Sequence, residues 1–77
     1  MRLTYDPRYN IAYFRLHEKV GEVETIHVSE QLNVDVAPDG TVYGIELLNA
    51  NEQLRGADDG KFVLVDESVG RQQEVAL

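Results

Sequence analysis

Between Leu32 and Leu48 the sequence alternates in a way that leaves little choice of backbone. Leu32, Val34 and Val36 are separated by Asn33 and Asp35, and beyond Ala37-Pro38-Asp39-Gly40 come Tyr43, Ile45 and Leu47, separated by Gly44 and Glu46. An apolar residue at every second position suits a strand whose two faces meet different surroundings. It defeats a helix, whose apolar stripe recurs at three and four. Pro38 presets the backbone angle of a turn and Gly40 accepts a positive one, so the two runs are expected to pair as a hairpin. The expected register sets Val36 against Thr41, Val34 against Tyr43 and Leu32 against Ile45. A slip of one residue would turn every apolar side chain to the other face.

The same period runs through the rest of the chain. Residues 2–5 read as a first strand, stopped by Asp6-Pro7, where the proline lacks a backbone donor. In residues 10–17, Ala12, Phe14 and Leu16 alternate with Ile11, Tyr13 and Arg15. Residues 18–21 read as a turn, and residues 22–29 as a third strand. There Val23 and Ile26 fall out of phase, which predicts a bulge near Glu24-Thr25. After Leu48, Asn49 and Glu52 have the spacing of a capping box and Gly56 suits a helix stop, predicting a helix over 50–55. Asp58-Asp59-Gly60 reads as a turn. Phe62-Val63-Leu64-Val65, flanked by charges, reads as a sixth strand or a docking segment. Residues 68–77 show no period and are expected to be loosely ordered.

The predicted fold is α+β, mostly β: an antiparallel meander sheet of five or six strands with one short helix after the fifth strand. Phe14, Leu16, Leu32, Val34, Val36, Tyr43, Ile45 and Leu47 should form its core face. Residues 1–56 are expected to hold the sheet and helix, with 57–77 a C-terminal extension of the same domain.

Seventy-seven residues allow one domain, and the chain has no cysteine to staple it. That fits a reducing compartment, and with no signal-like opening and no membrane-length apolar run, a cytoplasmic location is expected. Fourteen acids against seven bases give a net charge of −7. Such a field disfavours nucleic acid and anionic membranes and favours a basic protein partner. Apolar residues also outnumber what one short helix can cover, so a homodimer or higher homo-oligomer is expected.

Leu3-Thr4-Tyr5-Asp6-Pro7, Ala12-Tyr13-Phe14-Arg15-Leu16, Asn33-Val34-Asp35 and the run from Asp39 to Ala50 together resemble the prokaryotic domain-of-unknown-function family 2283. The resemblance covers residues 1–55. Where members usually carry acids after the proline, this chain has Arg8-Tyr9-Asn10. The resemblance implies a small antiparallel sheet with no established activity. Some relatives are encoded beside small toxin-like proteins, which implies a binding or neutralising role.

Chemical motifs are sparse. Asp35, Asp39, Gly40 and Glu46 fall at positions one, five, six and twelve of a calcium loop, but Ala37 occupies the third and the flanks alternate as strands. His17 and His27, placed on paired second and third strands, would lie about 17 Å apart, too far to share one metal. The carboxylates lie in turns or on outward positions, and Ser29 and Ser68 have no nucleophile context. No catalytic, metal or cofactor residue is assigned. One cluster, Arg2, Arg8 and Arg15 with Tyr9 and Tyr13, runs against the overall charge, and Arg8, Tyr9, Ile11, Tyr13 and Arg15, with Phe62 and Leu64, form the expected interaction surface. Three functions follow, in this order: a protein-interaction module, including an antitoxin-like acidic partner of a small basic protein; a ligand- or metal-binding protein acting across a homodimer; and a small enzyme.

Overall fold

A computed structural model describes residues 1–18, 21–56 and 60–77. Its elements are β1 (Arg2–Asp6), β2 (Ile11–Arg15), β3 (Glu24–Ser29), β4 (Leu32–Val36), β5 (Val42–Leu48), α1 (Ala50–Arg55), β6 (Lys61–Asp66) and β7 (Arg71–Ala76). β1 to β5 form one sheet in the order β1-β2-β5-β4-β3, every neighbouring pair antiparallel, and β6 and β7 pair antiparallel as a separate two-stranded sheet. The antiparallel, mostly-β architecture with one short helix after the fifth strand agrees with the alternation in the sequence. Among the described residues no helix is long and apolar enough to cross a membrane.

The strand order departs from a meander at one place: β5, not β3, pairs with β2. β5 is the longest strand, at seven residues, and half-buried or buried throughout. A strand rich in apolar side chains gains most from neighbours on both edges. β3, with Thr25, His27 and Ser29, is exposed along its whole length and takes the sheet edge. The turn expected at 18–21 between paired second and third strands therefore has no such pair to join, and Lys19 and Val20 within it lie outside the described residues.

The β4–β5 hairpin keeps the predicted face but not the predicted register. Gly40 N–H donates to the Ala37 carbonyl at 3.0 Å, and Ala37 N–H donates to the Thr41 carbonyl at 2.9 Å. With Gly40 at φ 91°, this is a tight turn closed by a glycine bulge: Ala37 itself pairs with Thr41, so the loop is one residue shorter than expected. A second irregularity follows where Val36 pairs with Val42 but Asp35 with Gly44. The two offsets add, so Val34 faces Ile45 and Leu32 faces Leu47. A slip of two restores the face that a slip of one would have lost.

Two other expectations are corrected. The bulge in β3 falls between His27 and Ser29, not at Glu24-Thr25. Residues 71–76 are not loose but form β7, which sets Val75 against Phe62 and Gln73 against Leu64. β7 is exposed along both faces, so its sequence carries no apolar period to detect. Of the turn expected at Asp58-Asp59-Gly60, the two aspartates lie outside the described residues, while Gly60 has φ 73°.

Helix α1 has the predicted limits and a different cap. Asn49 is left-handed (φ 55°, ψ 41°) and its side chain makes no capping bond to the helix backbone. It donates instead to Glu52 Oε2 at 2.9 Å. The orphan backbone donors of the first turn are taken by Asn10, in the β1–β2 turn. Asn10 O accepts from Ala50 N–H at 3.0 Å and Asn10 Oδ1 from Asn51 N–H at 2.5 Å. Asn10 is itself left-handed, at φ 59°, and its Nδ2 donates to Asn49 Oδ1 at 3.1 Å. Asparagine tolerates that conformation better than most residues. Gly56 is right-handed (φ −73°), so the helix does not stop through a left-handed glycine.

Asn10→Ala should destabilise the chain by about 2 kcal/mol, combining a lost cap with left-handed strain. Asn10→Gly, which keeps the backbone conformation, should cost about half of that. Urea denaturation of the two variants measures the difference, and equal losses would refute the strain component.

Candidate interaction surfaces

The registers sort the side chains of the large sheet onto two faces. One carries Leu3, Tyr5, Ala12, Phe14, Leu16, Leu32, Val34, Val36, Tyr43, Ile45 and Leu47, with Ile26 and Val28 at the β3 edge. All eight residues of the predicted core face are in this set. The other carries Arg2, Thr4, Asp6, Ile11, Tyr13, Arg15, Asn33, Asp35, Gly44, Glu46, Leu48, Thr25 and His27; its side chains are polar but for Ile11 and Leu48, which pair with each other at one end.

Among the described residues, cover for the apolar face is confined to one end. The Tyr5 hydroxyl donates to Asn51 Oδ1, and the Arg55 guanidinium lies 5.6 Å from the Tyr5 ring centroid. At the far side of that end Gln53 Nε2 donates to the Gln31 carbonyl at 3.1 Å. Ala12 of β2 and Ala50, the first residue of the helix, are buried, and no large side chain among the described residues is fully buried. Away from α1 the face opens: Ile26 is 46 % exposed and Val28 56 %. The separate hairpin likewise shows Leu64, Val65 and Val75 to solvent.

The polar face is held by side-chain hydrogen bonds that run across the strands. Gly44 is the pivot. A Cβ built there would lie 2.1 Å from the Tyr13 hydroxyl oxygen, because the Tyr13 ring lies flat across that position. Passing over Gly44, the Tyr13 hydroxyl donates to Asp35 Oδ2 at 2.6 Å, and the Thr25 hydroxyl donates to Asp35 Oδ1 at 2.6 Å. Next along the strands, Asn33 Nδ2 donates to Glu46 Oε1 at 3.0 Å, and His27 Nδ1 is 2.8 Å from Asn33 Oδ1. Four strands are thus tied together on one face. Burial, then the hydrogen bond to the Asp35 carboxylate and the negative charges of Asp35 and Glu46, push the Tyr13 phenol up to about 12.

Over the β1–β2 pair this face is grooved. One cleft of about 350 Å³ is lined by Arg2, Thr4, Tyr13, Arg15 and Glu18. A second, of about 590 Å³, is lined by residues that include Pro7, Arg8, Tyr9, Ile11 and, again, Thr4 and Tyr13. Arg8 lies 5.6 Å from the Tyr9 ring centroid and pairs with Asp6 at 3.0 Å, which holds the Asp6 carboxyl below the usual carboxylate range. Arg15 pairs with Glu18 at 3.2 Å.

The structure therefore places Arg8, Tyr9, Ile11, Tyr13 and Arg15 along one groove, while Phe62 and Leu64 stand on β6 of the other sheet. His17 and His27 do not lie on paired strands: His17 packs edge-on against Tyr43, and His27 is on the β3 edge with β4 and β5 between. The segment with the partial calcium-loop spacing begins in β4 and ends in β5, as the alternating flanks predict, and Asp35 accepts two hydroxyls there. The Asp35 cluster itself was invisible in sequence, because β2 and β3 reach it only once β5 lies between β2 and β4. Gly44, a glycine inside a strand, was the available signal that something large crosses there.

Gly44→Ala should cost about 2 kcal/mol by displacing the Tyr13 ring. In a Tyr13→Ala background the same change should cost well under about 1 kcal/mol, a coupling that a double-mutant cycle reads directly. Ultraviolet titration of the four tyrosines should show one phenol near 12, absent in Tyr13→Phe. Because the folded chain keeps this proton when the unfolded chain has lost it, its stabilisation is complete below about pH 10 and disappears as pH rises toward 12.

The sheet and the start of α1 coincide with the region that a family model matches. The family model described as protein of unknown function (DUF2283) matches residues 2–51. No curated protein and no solved structure matches the chain. Covering all five strands of the large sheet and most of the chain's length, the match shows that the chain belongs to the DUF2283 family.

Proposed function

We propose that the chain is a protein-interaction module whose first partner is a second copy, docked sheet to sheet on the apolar face. The observation that carries this reading is the open face itself. The chain exposes 5845 Å², against roughly 4,700 Å² for a compact monomer of its size. The excess, which this face shares with the exposed β6–β7 hairpin, is comparable to the ~800 Å² per partner that a stable interface buries. Half-buried Phe14, Val34 and Ile45 together with exposed Ile26 and Val28 provide an apolar centre. Each such side chain gains about 1.5–3 kcal/mol on full burial. A two-fold axis through the face would make it self-complementary.

The net charge of −7 supports a basic protein as any further partner, the antitoxin-like variant of the same reading. The lack of cysteine supports the cytoplasm as the place where it acts.

Sedimentation velocity tests the assembly. Ile26→Asp should raise the dimer dissociation constant at least about tenfold, since burying one unpaired charge costs more than ~1.4 kcal/mol. Ile11→Asp, on the polar face, should leave it within about twofold. The reverse order would move the interface to the groove side and contradict the proposal. Two copies of charge −7 repel, so raising salt from 0.02 to 0.5 M should tighten the dimer. A species of monomer mass at all concentrations and salts would overturn it.

A further inference from the structure

Arg2 and Arg15 sit directly opposite each other in the β1–β2 ladder, on the polar face. Like charges directly across a sheet repel. Glu18, at 3.2 Å, accounts for Arg15. Among the described residues Arg2 has no ion-pair partner, and its side chain borders the 350 Å³ cleft that it shares with Arg15. In a chain of net charge −7 this is a local reversal of sign.

The cleft is also built. Tyr13 forms its wall and cannot swing into the sheet, because Asp35 and the bare backbone of Gly44 hold the ring in place. Thr4 stands beside it, its hydroxyl 3.4 Å from the Tyr13 carbonyl. Both residues continue into the second cleft, so one groove runs from the arginine pair to Ile11, Pro7 and the exposed Tyr9 ring. Its chemistry changes along its length, cationic at one end and apolar and aromatic at the other. The Arg2–Arg15 pair and the Asp6–Ile11 pair are four ladder steps apart, about 13 Å.

We infer that this groove binds an extended peptide segment of a partner protein, with one carboxylate side chain between Arg2 and Arg15. An aliphatic or aromatic side chain four residues further along would lie against Ile11 and Tyr9. Guanidinium groups recognise a carboxylate through paired N–H donors; Arg2 offers its fork, and Arg15, which meets Glu18 through Nη2, adds its remaining N–H groups. The segment carries a single acid and not a run of them, because the −7 field opposes each added negative charge. An extended peptide presents residues one and five on the same side, matching the spacing of the groove. This site lies on the face opposite the proposed dimer contact, so neither proposal depends on the other.

The test is nuclear magnetic resonance titration of the full chain at low salt with a blocked pentapeptide, Glu at its first position and Leu at its fifth. Shifts should concentrate on Arg2, Thr4, Ile11, Tyr13 and Arg15. Replacing the peptide's Glu by Gln, or Arg2→Gln in the protein, should each weaken binding about tenfold, as expected for a lost charged hydrogen bond. Replacing its Leu by Gly should weaken binding severalfold and erase the shift at Ile11. Equal binding of the Gln peptide would overturn the inference. So would shifts confined to the apolar face. Inorganic phosphate producing the same shifts at the same concentration would reduce the groove to a site for free oxyanions and would overturn the peptide assignment.

Discussion

A five-stranded sheet has two faces, and among the described residues one α-helix, of six residues, is there to cover them. Everything else in the structure follows from how each face meets that shortage. A helix of that length spans about 9 Å, whereas five strands side by side extend over roughly 19 Å. The helix is therefore spent on one end of the apolar face. There Ala12 and Ala50 are buried, and the helix fixes Tyr5 through Asn51 and Arg55. Beyond it the side chains remain half-buried, too closely packed to be a free surface and too open to be a finished core.

The polar face meets the shortage without any covering layer. Its side chains satisfy one another laterally: Tyr13 reaches across Gly44 to Asp35, Thr25 meets Asp35 from the edge strand, and Asn33 links Glu46 with His27. Such a network needs each strand in its observed place. β5 must lie beside β2 for Tyr13 to pass over Gly44, and β3 must follow β4 for Thr25 to arrive. The two register offsets in the β4–β5 hairpin belong to the same constraint, since they set Asp35 opposite Gly44. Asn10 serves the same economy at the end of the sheet, where one turn residue closes β1 to β2 and caps α1.

The sequence made legible whatever depends on local period. Alternation from Leu32 to Leu47 identified the apolar face, and Pro38 with Gly40 identified the turn that joins its strands. The limits of α1 were also readable. What could not be read depends on comparing distant segments. Whether β2 pairs with β3 or with β5 is decided by competition among apolar strands, and nothing near Leu16 records the outcome. β7 escaped because a hairpin exposed on both faces imposes no pattern. The groove was half visible: Arg8, Tyr9, Ile11, Tyr13 and Arg15 stood out by composition. Arg2 stood out with them, whereas Thr4 joins only through the register that sets β1 against β2.

The central claim is that the apolar face is completed by a second copy and not by the chain itself. Solvent paramagnetic relaxation measured on the methyl groups of Ile26, Val28, Val34 and Ile45 across a dilution series addresses it most directly. These methyls should be shielded at high concentration and become accessible together on dilution, while the Ile11 methyl stays unchanged throughout. Shielding that persists in a species of monomer mass would show that the chain closes its own core and would contradict the account.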